Sequence, residues 1–130
     1  MRLTPTVTPD TAFFWNALKE HRLLIQRCAA CGELRHPPRP MCPRCNSLDW
    51  DTIDSAGQGS VYSFVLPRHP DFGFADPHIV ALVELDEGTR IVTNLVDVDP
   101  ANVAIGVRVA VRFETFDDGL TLPLFTVEPA

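Results

Sequence analysis

The chain has no apolar run long enough for a secretory leader or a membrane span; its amino terminus reads Met1-Arg-Leu-Thr-Pro-Thr. The expected setting is therefore the cytoplasm, away from membranes, where thiols stay reduced. Positive charge is scarce: 11 Lys and Arg face 17 Asp and Glu, for a net charge of -6. A negative field of this size opposes nonspecific attraction to a phosphate backbone, so nucleic acid is not an expected partner. A catalytic constellation is also missing. Neither His69 nor His78 has a nucleophile or paired carboxylate arranged with it, and no residue is assigned to catalysis. Internal repeats and low-complexity tracts are absent. The 130 residues allow one ordinary domain or two small packed modules.

The charge deficit is uneven. Residues 1–50 carry seven Lys or Arg against four Asp or Glu, whereas residues 51–130 carry four against thirteen. Arg22, Arg27, Arg35, Arg39 and Arg44 give the first part its positive character, and they read as solvent-facing residues or, less simply, as a site for an anion. What this part does contain is cysteine. All four cysteines fall in two C-x-x-C pairs, Cys28-Ala-Ala-Cys31 and Cys42-Pro-Arg-Cys45, separated by ten residues. Two such turns facing each other supply the four sulfurs of a tetrahedral zinc site. With no coordination position left open, that zinc would be structural and would not activate water. Two disulfides or a redox dithiol are the rival readings. Redox C-x-x-C motifs normally come singly at the start of a helix, and nothing marks the chain for an oxidising compartment. His36, between the pairs, could replace a cysteine; otherwise it reads as a solvated loop residue.

Thr8-Pro9-Asp10-Thr11 predicts a helix start, with Thr8 or Asp10 as N-cap, and the helix should run to Glu20. Phe14 and Leu18 share one face of it, Phe13 and Ala17 an adjacent one, and Trp15 points elsewhere. Three consecutive aromatics cannot all face one small core. Either a loop covers one of them, or Phe13, Phe14, Trp15 and Leu18 form an interface for another protein. Leu23–Arg27 is a β-prone run entering the first metal turn. The turn-rich Asp54–Gly59 is a joint, and two modules are expected, 1–52 and 53–130.

Beyond the joint, strands are expected at 60–66, 79–85, 90–96, 107–113 and 120–127. Val107, Val109, Val111 and Phe113 alternate with Arg108, Ala110 and Arg112, as on a strand with one buried face. Five strands with short turns and no second helix suggest a small antiparallel barrel of the OB type, in which closure removes exposed edges. The expected fold is thus mainly β: an N-terminal helix, a rubredoxin-like zinc ribbon, then a five-stranded antiparallel OB-fold barrel. The one long connection, Pro67–Pro77, carries His69, Phe72 and Phe74. It either folds its aromatics onto the barrel end or forms a substrate-side binding loop.

Taken in order, Phe14-Trp15, Cys28-Ala-Ala-Cys31-Gly32, Pro38-Arg39, Cys42-Pro43-Arg44-Cys45, Gly57-Gln-Gly59-Ser-Val-Tyr62-Ser and Gly106-Val-Arg-Val resemble the zinc-ribbon-plus-OB-fold family known as domain of unknown function 35. The resemblance covers nearly the whole chain. It departs at Asn46, where that family often has Gly after its last cysteine. It implies a non-catalytic accessory subunit of an acyl-CoA enzyme, such as a thiolase or a retro-aldolase of steroid side-chain degradation. The implied partner is a thiolase-like protein in a hetero-oligomer, two plus two, with acyl-CoA at the shared interface. The competing reading is a module for single-stranded nucleic acid, since zinc ribbons and OB barrels also serve that role. It would need stacking aromatics on the second and third barrel strands, and Ile79–Leu85 and Arg90–Val96 have none.

Overall fold

A computed structural model describes residues 7–66, 79–116 and 119–128. Helix α1 spans Ala12–Lys19 and buries Phe14, Ala17 and Leu18. Its start lies later than the sequence suggests. The Thr8 carbonyl accepts from the Thr11 and Ala12 N–H groups at 3.0 and 2.9 Å, forming a separate turn, and Thr11 becomes the N-cap. The Thr11 hydroxyl takes the Thr8 N–H at 3.0 Å instead of capping the helix. At the other end His21 adopts φ 58°. Arg22 N–H donates to Ala17 O and His21 N–H to Leu18 O, both at 3.0 Å, which closes the helix as a Schellman turn. The His21 ring then stacks on Phe113 at 5.2 Å, tying the helix exit to the barrel.

Strands β1 (Leu24–Cys28), β2 (Leu34–Arg35) and β3 (Trp50–Asp54) form an antiparallel sheet in the order β2-β1-β3. Its exposed face is held by bidentate pairs: Arg27 with Asp51 directly opposite it, and Arg22 with Asp54. Both arginines face solvent, as the sequence suggests, and each is also paired with a carboxylate of β3.

Strands β4 (Gln58–Val65), β5 (Ile79–Leu85), β6 (Arg90–Leu95), β7 (Arg108–Thr115) and β8 (Thr121–Val127) close a barrel in the order β4-β5-β6-β8-β7. Ile79, Ala81, Val83 and Leu85 point inward from β5, and Val61, Val109 and Phe125 complete a centre that is at most 3% exposed. Leu18, Ile25 and Phe14 extend the same cluster, so helix and ribbon share the barrel's core. The expectation of a wholly antiparallel barrel needs one correction. β6 and β8 run parallel through Leu95 and Phe125, because the chain leaves β6 by a 3-10 turn at Pro100–Asn102 and adds β7 on the far side of β8. That seam is held by few bonds. Val96 N–H donates to Phe125 O at 2.8 Å, and the buried Thr93 hydroxyl donates to Pro123 O at 2.7 Å.

Candidate metal centre

Each C-x-x-C pair sits in the same local turn. Gly32 N–H donates to Cys28 O and Asn46 N–H donates to Cys42 O, both at 2.9 Å. The closing residue of each turn is left-handed, Gly32 at φ 80° and Asn46 at φ 65°. Asn tolerates that region better than most side chains. Cys28 N–H and Cys42 N–H then donate forward to Glu33 O and Ser47 O, again both at 2.9 Å. Two copies of one turn therefore present four sulfurs to a common point.

The four Sγ atoms lie within 4.8 Å of one another, with Cys28 3.5 Å from Cys45 and Cys31 3.7 Å from Cys42. A zinc ion at ~2.3 Å from each sulfur sets tetrahedral S–S edges of about 3.8 Å, so the donor set fits the metal. All four thiols are free, which removes the disulfide reading. Cys28 and Cys42 are buried, while Cys31 and Cys45 form the outer edge. His36 lies outside this cluster. Its ring is half-buried at 5.2 Å from Phe14, and burial holds its pKa down at about 4, so it is not the solvated loop residue the sequence suggested.

Without metal the sulfurs divide into two kinds. The Cys31 N–H donating to Cys28 Sγ brings Cys28 down to about 6 against the opposing effect of burial. The Cys45 N–H likewise lowers Cys42. For Cys31 the Glu33 N–H acts downward, but burial and the three neighbouring thiols outweigh it and push the group up to about 12. Cys45 is raised too, the Cys28 thiol and burial outweighing the Ser47 N–H. Zinc takes all four as thiolates. Titrating zinc into the metal-free chain near neutral pH is therefore expected to release at least about two protons per ion, those of Cys31 and Cys45, and more as pH falls. A pH-indicator titration measures this, and release near zero would contradict the assignment. Arg44 donates to Glu33 at 3.1 Å, and that hydrogen bond and the Glu33 charge, with smaller contributions from Cys31 and Cys42, raise its pKa.

The interface residues expected on the helix fall in two groups. Phe14 and Leu18 are 6% and 0% exposed and face the chain's own core. Phe13 and Trp15 are half-buried; Phe13 packs on Trp50 with ring centroids 4.8 Å apart, and Trp15 meets Phe14 edge-on at 5.1 Å. Trp15 also lines an apolar cleft of about 300 Å³ with His36, Pro37, Val92 and Leu124. His69, Phe72 and Phe74, with His78, lie outside the described residues. Sequence reasoning missed the burial of Arg35 and Gln26. β2 is two residues long, too short for alternation to reveal which side faces in.

Residues 15–51 match the family described as "ChsH2, rubredoxin-like zinc ribbon domain", and residues 52–114 match "ChsH2, C-terminal OB-fold domain". A "DUF35 domain-containing scaffold protein" of Methanocaldococcus jannaschii is 37% identical over 116 residues, 82% of this chain and 81% of that protein. This chain belongs to the DUF35 family. A DUF35 chain with Asn46 in place of glycine keeps the second metal turn, since Asn46 occupies the left-handed slot that Gly32 fills in the first. The DUF35 chain is similar to a "Probable enoyl-CoA hydratase alpha subunit" of Thermomonospora curvata, 52% identical over 126 residues. That match takes in 96% of this chain and only 40% of the relative's length. Among solved structures, a chain of the "Ltp2-ChsH2(DUF35) aldolase" superposes with a TM-score of 0.87 at 51% identity, covering 95% of this chain and 98% of that one. In the described part of this DUF35 chain, no helix is long and apolar enough to cross a membrane.

Proposed function

We propose that the chain is a non-catalytic accessory subunit that binds a thiolase-like acyl-CoA enzyme, in a two-plus-two assembly, and helps bind or guide its acyl-CoA. The likeness to nearly the whole of one chain in an aldolase carries this reading. The sealed sulfur site agrees with it, because a metal with four protein ligands has no position for substrate.

The barrel's outer surface supports a docking role. Val65 pairs with Val80, and Leu82 pairs with Val92, so these four form an apolar ladder on the outside of β4, β5 and β6. Val65 and Val92 are 59% and 69% exposed. The ladder continues through Val92 into the cleft lined by Trp15. Apolar exteriors of this kind mark association surfaces. The same outer face has no aromatic on β5 or β6, which leaves the nucleic-acid reading without a stacking platform.

Val92→Glu tests the proposal on a side chain that the isolated fold leaves in water. Affinity for a co-expressed thiolase-like partner is expected to fall by at least about 30-fold, from ~2 kcal/mol for an unpaired carboxylate in an apolar contact. The melting temperature of the isolated chain should barely move. If the wild-type chain stays monomeric beside every candidate partner and alters no turnover, or if it turns over acyl-CoA alone, the proposal fails.

A further inference from the structure

The structure assigns a phosphate-binding site to the groove where ribbon meets barrel, lined by Arg35, Arg39, Thr89 and Arg90. This site is independent of the partner proposed above, since all its residues belong to this chain. The decisive observation is an unbalanced charge. Arg35 is 6% exposed, yet its guanidinium meets no carboxylate among the described residues. Nε donates to Gln26 Oε1 and to Arg39 O at 3.0 Å each, and Nη2 donates to Arg39 O at 2.8 Å. Nη1 is buried with no acceptor among the described residues. Neutral oxygens soften the burial of a guanidinium but do not cancel its charge. Three other ribbon arginines differ: Arg22, Arg27 and Arg44 each hold an Asp or Glu.

A second orphan lies in the same groove. Thr89 is 9% exposed, and its hydroxyl is buried without a partner among the described residues. The groove has a volume of about 380 Å³, and Arg35, Arg39, Thr89 and Arg90 are among its lining residues. A water fills only ~30 Å³ of liquid, so one water does not fill it. Among the described residues no Asp or Glu lines it, although the chain carries 17 of them. Arg90 reaches its rim from beside Glu84, 3.5 Å away, while lying over the Tyr62 ring at 3.8 Å. The Arg39 backbone is fixed by its N–H donating to Gln26 Oε1 at 2.8 Å, which leaves its side chain to reach the groove. Guanidinium donors and a hydroxyl around a carboxylate-free space are the chemistry that recognises a phosphoryl group.

Isothermal titration of the zinc-loaded chain with pyrophosphate, inorganic phosphate and adenosine 3',5'-bisphosphate tests the site. Arg39→Gln keeps the carbonyl that holds Arg35, and Thr89→Val keeps the side-chain shape, so both variants should fold. Each is expected to weaken binding about tenfold, the loss of one charge-assisted hydrogen bond. Arg112→Gln, whose parent pairs with Asp97 elsewhere on the barrel, should bind as wild type. Equal affinity for the inorganic and nucleotide probes, lost in both variants, identifies a free-phosphate site. Tighter binding of the bisphosphate, lost in the same variants, identifies a nucleotide-borne phosphate. No saturable binding of any probe, or binding unchanged in both variants, overturns the assignment and leaves a water-filled groove.

Discussion

Replacing Cys42 with serine is expected to abolish metal binding and unfold the ribbon, leaving no partly loaded site. The Cys42 side chain is fully buried at the centre of the sulfur cluster, and its backbone anchors the second turn through bonds to Asn46 and Ser47. The ribbon sheet has strands of five, two and five residues, with little apolar surface of its own. Modules of this size depend on the metal, whose binding supplies on the order of 10 kcal/mol as folding energy. Elemental analysis should fall from about one zinc per chain to none. Tryptophan emission should shift to the red, because Trp50 stands opposite Cys28 in β1 and packs on Phe13. A strong chelator applied to the wild-type chain should reproduce both changes. A ribbon that kept its native emission without metal would refute the structural role.

The metal site was legible because its geometry is local. Two C-x-x-C turns each close over four residues, and the left-handed position that ends each is filled by Gly32 and Asn46, residue types suited to it. The inward alternation of β7 was legible for the same reason, since side chains on a strand repeat every two residues: Val109 is buried, and Val107, Val111 and Phe113 pack against the core. What stayed hidden depends on contacts between distant segments. The parallel seam of β6 and β8 follows from the side of the barrel to which β7 is added, and no local pattern records that choice. His36 is half-buried only because Phe14 arrives from the helix. Arg35 sits inside because Gln26 and the Arg39 carbonyl meet it there, and an arginine between prolines and cysteines looks solvated in sequence. The three aromatics of α1 found separate homes: Phe14 in the core, Phe13 on the ribbon's Trp50, and Trp15 at the cleft.

Gly59→Ala is expected to be the most damaging single-methyl change in the barrel. Gly59 lies in β4 where that strand pairs on one side with Leu85 of β5 and on the other with Val109 of β7, the seam that closes the barrel. A Cβ there would stand 2.3 Å from Glu84 O and 3.0 Å from Leu85 Cα. The obstacle is the backbone of β5, which cannot rotate away as a side chain can, so the β4–β5 ladder would have to part. A loss of at least ~3 kcal/mol is expected, at the upper end for overpacking. Gly57→Ala meets mainly Val111 Cγ1, a side-chain atom at 2.2 Å, and adds strain from its φ of +74°, so a smaller loss is expected. Gly106→Ala meets nothing within 4 Å and should cost only its left-handed backbone, about 1 kcal/mol. Urea unfolding of the three zinc-loaded variants should rank Gly59, Gly57, Gly106 from most to least destabilised. A Gly59→Ala midpoint as high as that of Gly106→Ala would mean that β4 and β5 are free to separate at this point, and would overturn the ranking.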